Sequence, residues 1–72
     1  MSRQRQIDEL TQAVADNDER KVRRLVKNAP RAVLDGLDSE DKYTALMGAA
    51  YHNNHALVRV LIRAKCDLEV RH

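Results

Sequence analysis

Apolar residues recur along this chain at helical spacing in four short sets. Ile7, Leu10, Ala13 and Val14 make the first, and Val22, Leu25 and Val26 the second. Leu46, Ala49 and Ala50 make the third, and Leu57, Val58, Leu61 and Ile62 the fourth. Members three and four apart lie on one face of a helix, and charged residues such as Arg59 and Arg63 fall between them. Asn and Asp separate the sets in pairs, at Asp16-Asn17-Asp18 and at Asn53-Asn54. These residues tolerate left-handed backbone and cap helices readily, so each marks a tight turn between antiparallel helices. Pro30 stops the second helix, because Ala29 before it is pushed out of helical backbone. Asp8 and Glu9 are expected in the first turn of the first helix, where carboxylates complement its dipole. The pattern predicts an all-α chain with helices over 5–16, 18–28, 45–53 and 55–64. The expected core is the four apolar sets apart from Ile7.

The two halves repeat. Leu10 and Leu46, Ala13 and Ala49, Asn17 and Asn53, Val22 and Val58, Leu25 and Leu61, and Val26 and Ile62 all stand 36 positions apart. Between them, 30–43 has no counterpart in the repeat. There Ala32 to Leu34 is expected to pack back over the helix ends, Gly36 to turn the chain, and the acidic run Asp38 to Asp41 to form a solvent-exposed, hairpin-like finger.

From Thr44 the chain reads Thr-x-Leu-x-x-Ala-Ala-x-x-Asn-x-x-x-Leu-Val-x-x-Leu-Ile-x-x-x-Cys-Asp-Leu. That order resembles one complete ankyrin repeat. The resemblance implies a solenoid of two stacked helix-turn-helix units, with 1–34 an N-terminal capping-like repeat and 35–72 a second repeat. The offset of 36 exceeds the family period of about 33, and the excess falls between Asn28 and Lys42. Cys66-Asp67-Leu68-Glu69 stands where the family turns into its next hairpin. Ala45 replaces the family's proline and Met47 its histidine. Lys42, Asn53 and Lys65 stand where the family prefers glycine. Asn takes positive φ cheaply, whereas Lys there costs roughly 1 kcal/mol.

Composition narrows the chemistry. Aromatic residues are 3% of the 72, with no Trp or Phe, so the core is aliphatic and small. No apolar run approaches the roughly 20 residues that span a membrane, and the polar start carries no signal-peptide pattern. The single Cys66 suits a reducing compartment, so an intracellular site, cytoplasmic or nuclear, is expected. His52, His55, Cys66 and His72 supply ligand types for zinc. The first two fall on different helices, however, and no Cys-x-x-Cys pair accompanies them, so neither a metal nor any other cofactor is expected. There is no glycine-rich phosphate loop, and Cys66 takes a slot that the family fills with a buried Ala. A structural thiol, rather than a catalytic one, follows from that resemblance.

The resemblance implies a protein–protein interaction module with no enzymatic activity. Its binding face is the finger tips and the exposed side of each first helix. The matching positions are Glu40, Asp41, Tyr43, Tyr51 and His52, with Gln12 and Asp16 beside them. The alternative is a nucleic-acid or anionic-surface binder working through the basic stretch 20–31, where Arg20, Arg24, Lys27 and Arg31 share helical spacing. Net charge is only +2, and no aromatic residues interleave with these cations, which weighs against nucleic acid. Repeats of this kind need about three units to close a core. An open C-terminal flank at Val60, Ala64 and Met47 is therefore expected, to be covered by further repeats in a longer parent, by a partner or by a second copy.

Overall fold

The computed structural model describes residues 2–40 and 42–69, in which five helices form and no strand is found. Helix α1 spans Arg3–Ala15, α2 Glu19–Lys27, α3 Arg31–Leu34, α4 Ala45–Tyr51 and α5 His55–Glu69. None of them is long and apolar enough to cross a membrane.

The offset of 36 holds in the backbone hydrogen bonds. Helix α1 closes with Asn17 at φ 60° and α4 with Asn53 at φ 56°. Asn17 N–H donates to Val14 O and Asp18 N–H to Ala13 O, each at 3.0 Å. Asn53 N–H donates to Ala50 O at 3.0 Å and Asn54 N–H to Ala49 O at 2.9 Å. Both ends are Schellman closures, in which a left-handed residue lets two amides turn back onto the last free carbonyls. The next helix then starts the same way in both halves. Asp18 Oδ1 accepts from Lys21 N–H and Asn54 Oδ1 from Leu57 N–H, each at 3.1 Å. Asn54 Nδ2 also donates to Asn17 Oδ1, so the two turns are joined side by side.

Helix α1 begins at Arg3, two residues before the expected start, because Ser2 Oγ accepts from Arg5 N–H at 3.2 Å. Asp8 and Glu9 therefore lie beyond the first turn, which holds no acid. The segment Ala32 to Leu34 does pack back, but as a helical turn that begins after Pro30 and buries Val33 and Leu34. Gly36 sits against Ile7: a Cβ there would stand 2.6 Å from Ile7 Cγ1 and 3.0 Å from the Ala32 carbonyl. Its φ is not positive. Close approach, rather than a left-handed turn, is what this position asks of glycine.

The buried core is Ile7, Leu10, Ala13 and Val14 from α1, Val22 from α2, Val33 and Leu34 from α3, Ala45 and Ala49 from α4, and Leu57 and Leu61 from α5. Four expected members, Leu25, Val26, Leu46 and Val58, are only half-buried at its edge. Ala50 is exposed and Ile62 is 46% exposed. The reason is geometric. The stripe of α4 and α5 that meets α1 and α2 runs through Ala45, Ala49, Leu57 and Leu61, and Ala50 and Ile62 lie one position round the helix from it.

Helix α5 does not turn at Cys66 but continues to Glu69. Lys65, expected at a glycine-like position, is helical, and its Nζ reaches Asp35 Oδ1 at 2.8 Å. Leu68 packs at the edge of the core. With neither Gly nor Pro in this stretch, nothing breaks the ladder. Cys66, expected to be buried, is exposed.

Candidate functional site

The connection between the hairpins is built on Asp38 and Asp8. Asp38 N–H donates to Tyr43 O, and Tyr43 N–H donates to Asp38 Oδ1, both at 2.8 Å, closing a small loop. Lys42 inside it takes φ 58°, the left-handed backbone expected at this position. Asp8 of α1 then holds the loop from outside. Ser39 Oγ donates to Asp8 Oδ2 at 2.8 Å, and Ser39 N–H donates to Asp8 Oδ1 at 3.0 Å. Gln4 Nε2 bridges Asp8 Oδ1 and the Leu37 carbonyl, each at 3.0 Å. The Ser39 hydroxyl first, and then the Gln4 amide, pull the Asp8 carboxyl below its ordinary value. The finger is thus a docked loop. Asp38 is half-buried and bonded rather than free in solvent as expected.

This docking sets Tyr43 beside α4. The rings of Tyr43 and Tyr51 meet edge to face with centroids 6.2 Å apart, and Tyr51 meets His52 in the same way at 5.4 Å. Such contacts favour the positive edge of one ring over the negative face of the next. Gln12, Tyr43, Tyr51 and His52 together line a groove of about 320 Å³ between α1 and α4. Tyr51 is 74% exposed and Tyr43 41%, so neither is spent on packing inside the molecule.

Four of the seven expected binding residues therefore converge. Asp16 stands just outside the groove, where its Oδ1 accepts from Gln12 Nε2 at 3.0 Å. Glu40 is exposed at the loop tip and does not line the groove. Asp41 lies outside the described residues. The groove also draws on Thr11, Ala15 and Gly48, which sequence reasoning passed over. The repeat offset was the signal for two of them, since Gln12 pairs with Gly48 and Ala15 with Tyr51. Small side chains at Ala15, Ala45 and Gly48 leave the groove its room.

The other expected features fall elsewhere. The basic stretch 20–31 is not one helix: α2 ends at Lys27, and Arg31 begins α3, where its Nε reaches Asp35 Oδ2 at 3.2 Å. On the open flank Met47 is 51% exposed, as expected. Val60 and Ala64 are instead half-buried and turned toward α2, and Ile62 takes their place at the surface. His52 ends α4 and His55 begins α5, while His72 lies outside the described residues. Among those residues no three His, Cys, Asp or Glu side chains are grouped as a metal would need. Comparison with protein families, curated proteins and solved structures gives no match to this chain.

Proposed function

We propose that this chain is a protein–protein interaction module of the ankyrin-repeat kind, which grips a partner protein in the groove of Gln12, Tyr43, Tyr51 and His52. The observation that carries the reading is Tyr51. It stands largely bare on a rigid helix, braced on both sides by ring contacts. Tyr is a favoured anchor because it adds a large, stiff surface with one polar tip at little entropic cost. A groove that holds such a residue already oriented loses little freedom when a partner arrives. The hairpins joined at Asn17 and Asn54, and the repeat of both helix closures at 36 positions, support the ankyrin-like stacking.

The basic-surface alternative draws less support, since Arg31 stands on a separate helix from Arg20, Arg24 and Lys27 and is bonded to Asp35. The test is a displayed library of protein fragments, selected on the wild-type chain and on Tyr43→Ala and Tyr51→Ala. Selected partners are expected to lose about tenfold or more in affinity for each variant, about 1.4 kcal/mol, while both variants melt as the parent does. Equal affinity for parent and both variants would sink the reading. A steep fall of binding with salt, together with indifference to both tyrosines, favours the basic surface instead.

A further inference from the structure

A second groove, sharing no residue with the first, runs between α2 and α5 and encloses about 560 Å³. Its apolar floor is Val26 from α2, Ala29 just beyond it, and Val60, Ala64 and Leu68 from α5, all half-buried, with exposed Ala56 at one end. Its rim is cationic on both sides. Arg23 and Lys27 stand one turn apart on α2, and Arg59 and Arg63 one turn apart on α5. Among the residues whose side chains are described, which leave out Asp67 and Glu69, no acid lines the groove. Arg23 is paired with Glu19 at 2.7 Å, whereas Lys27, Arg59 and Arg63 are paired with no carboxylate among the side chains described. Like charges one turn apart on a helix repel each other, so this arrangement is relieved by carboxylates from outside. From Ala56 to Leu68 the groove follows α5 for about 18 Å, or roughly three turns at 1.5 Å per residue.

We propose that this groove receives an acidic amphipathic helix of a partner protein. Aliphatic side chains at i, i+3 or i+4, and i+7 would lie on Val26, Val60, Ala64 and Leu68, the spacing of helix-in-groove recognition. Asp or Glu on the two flanks of that stripe would meet the cations of α2 and α5. Three observations choose this occupant. The rim selects negative charge, and the recessed apolar floor selects a ridge of aliphatic side chains. A phosphate backbone would gain nothing from such a floor, and the chain's two tyrosines and the His52 ring beside them belong to the other groove. A bilayer surface calls for large apolar side chains that protrude, whereas these are sunk between two helices.

The experiment is a library of displayed helical peptides of three to four turns, selected on the 72-residue chain and on Arg59→Glu/Arg63→Glu. Affinities of the enriched peptides are then read by fluorescence anisotropy. Enriched sequences are expected to carry an aliphatic stripe flanked by Asp and Glu. They should bind the charge-reversed chain about tenfold more weakly or worse. Tyr51→Ala should leave their affinity unchanged, which separates this groove from the tyrosine one. Arg59 and Arg63 are exposed, so the double variant should fold, with circular dichroism as the check. Ala56→Glu is the second variant. It is exposed in the first turn of α5, where a carboxylate suits the helix dipole, and it obstructs the groove and repels the ligand. No enrichment, enrichment of neutral or basic peptides, or equal affinity for parent and both variants overturns the proposal. So does stronger binding to a DNA duplex or to phosphatidylserine vesicles than to any selected peptide.

Discussion

The carboxylate of Asp8 takes both donors of Ser39, 31 residues away, the hydroxyl at 2.8 Å and the amide at 3.0 Å. These bonds, with that of Gln4, hold the Asp8 carboxyl below its ordinary value of 3.8. Asp35 is lowered in the same direction, first by its bond to Lys65 and then by Arg31. A carboxylate whose pKa is depressed by folding stabilises the folded state fully above its unfolded value. That contribution disappears as pH falls through the folded one. The urea midpoint should therefore hold steady from pH 7 to about 5 and decline below about 4. Asp8→Asn should remove part of the decline. A parent midpoint that stays level down to pH 2 would contradict both assignments.

Asp8→Ala should release the finger without opening the core. Native-state hydrogen exchange reads this directly. The Ser39 amide should move to the rate of a free loop, while the Leu10 amide, on a fully buried residue, keeps its protection. Protection retained at Ser39 in the variant would mean that Gln4 alone secures the loop.

The two glycines should respond with opposite signs to the same substitution. Gly36→Ala drives a methyl onto the buried Ile7 side chain, 2.6 Å from its Cγ1, and to 3.0 Å from the backbone carbonyl of Ala32. A loss of about 1–3 kcal/mol is expected, as in other overpacked cores. At Gly48 an added Cβ meets only Val14 Cγ1, at an ordinary 3.5 Å. Gly48→Ala should stabilise α4 by up to about 1 kcal/mol through helix propensity, at the cost of room in the tyrosine groove. Thermal melts of the two variants on the same side of the parent would refute one of these arguments.

Lys42→Gly should stabilise the chain by up to about 1 kcal/mol, because Lys42 holds φ 58° against its own Cβ. Asn53, at nearly the same φ, should gain only a few tenths from the same change, and Asn17 should lose, because its Oδ1 is the acceptor that joins the two turns. Denaturant titration of the three variants gives the order. A larger gain at either Asn than at Lys42 would reverse the ranking.

The helices and their closures were legible because they rest on local rules. Spaced Leu and Val residues place the helices, and Asn17 and Asn53 end them by accepting left-handed backbone. The positive φ of Lys42 came from the ankyrin resemblance. The turn expected at Cys66 came from there too and did not form, because helix-compatible residues and the Lys65–Asp35 pair carry α5 onward. Which apolar residue is buried was harder to read. Ala45 and Ala50 look alike in sequence, and only the angle at which α4 meets α1 decides that Ala45 is covered. Helix α3 went unread because four residues hold too little periodicity to declare a helix. In the candidate groove, Gln12, Tyr43, Tyr51 and His52 were legible through resemblance, whereas Asp16 and Glu40, expected beside them, do not line it. The empty space at Gly48 was not legible, since room is a property of neighbours. The cationic groove was hidden for the same reason: its two walls, α2 and α5, are separated along the chain by α3 and α4, and in the sequence each is simply a charged helix face.

Helix α3 touches both α1 and α5, and the segment it belongs to is held by Asp8 at one end and Lys65 at the other. A linear array commonly melts from a terminal unit inward, leaving the remainder intact. Here, detaching α5 removes a wall of α3, and losing α3 uncovers Ile7 and Leu10 in the other hairpin. No half of the chain keeps a closed core once the other half has gone. Thermal and chemical denaturation should then trace a single all-or-none transition by every probe, so the two hairpins behave as one folding unit despite their internal likeness.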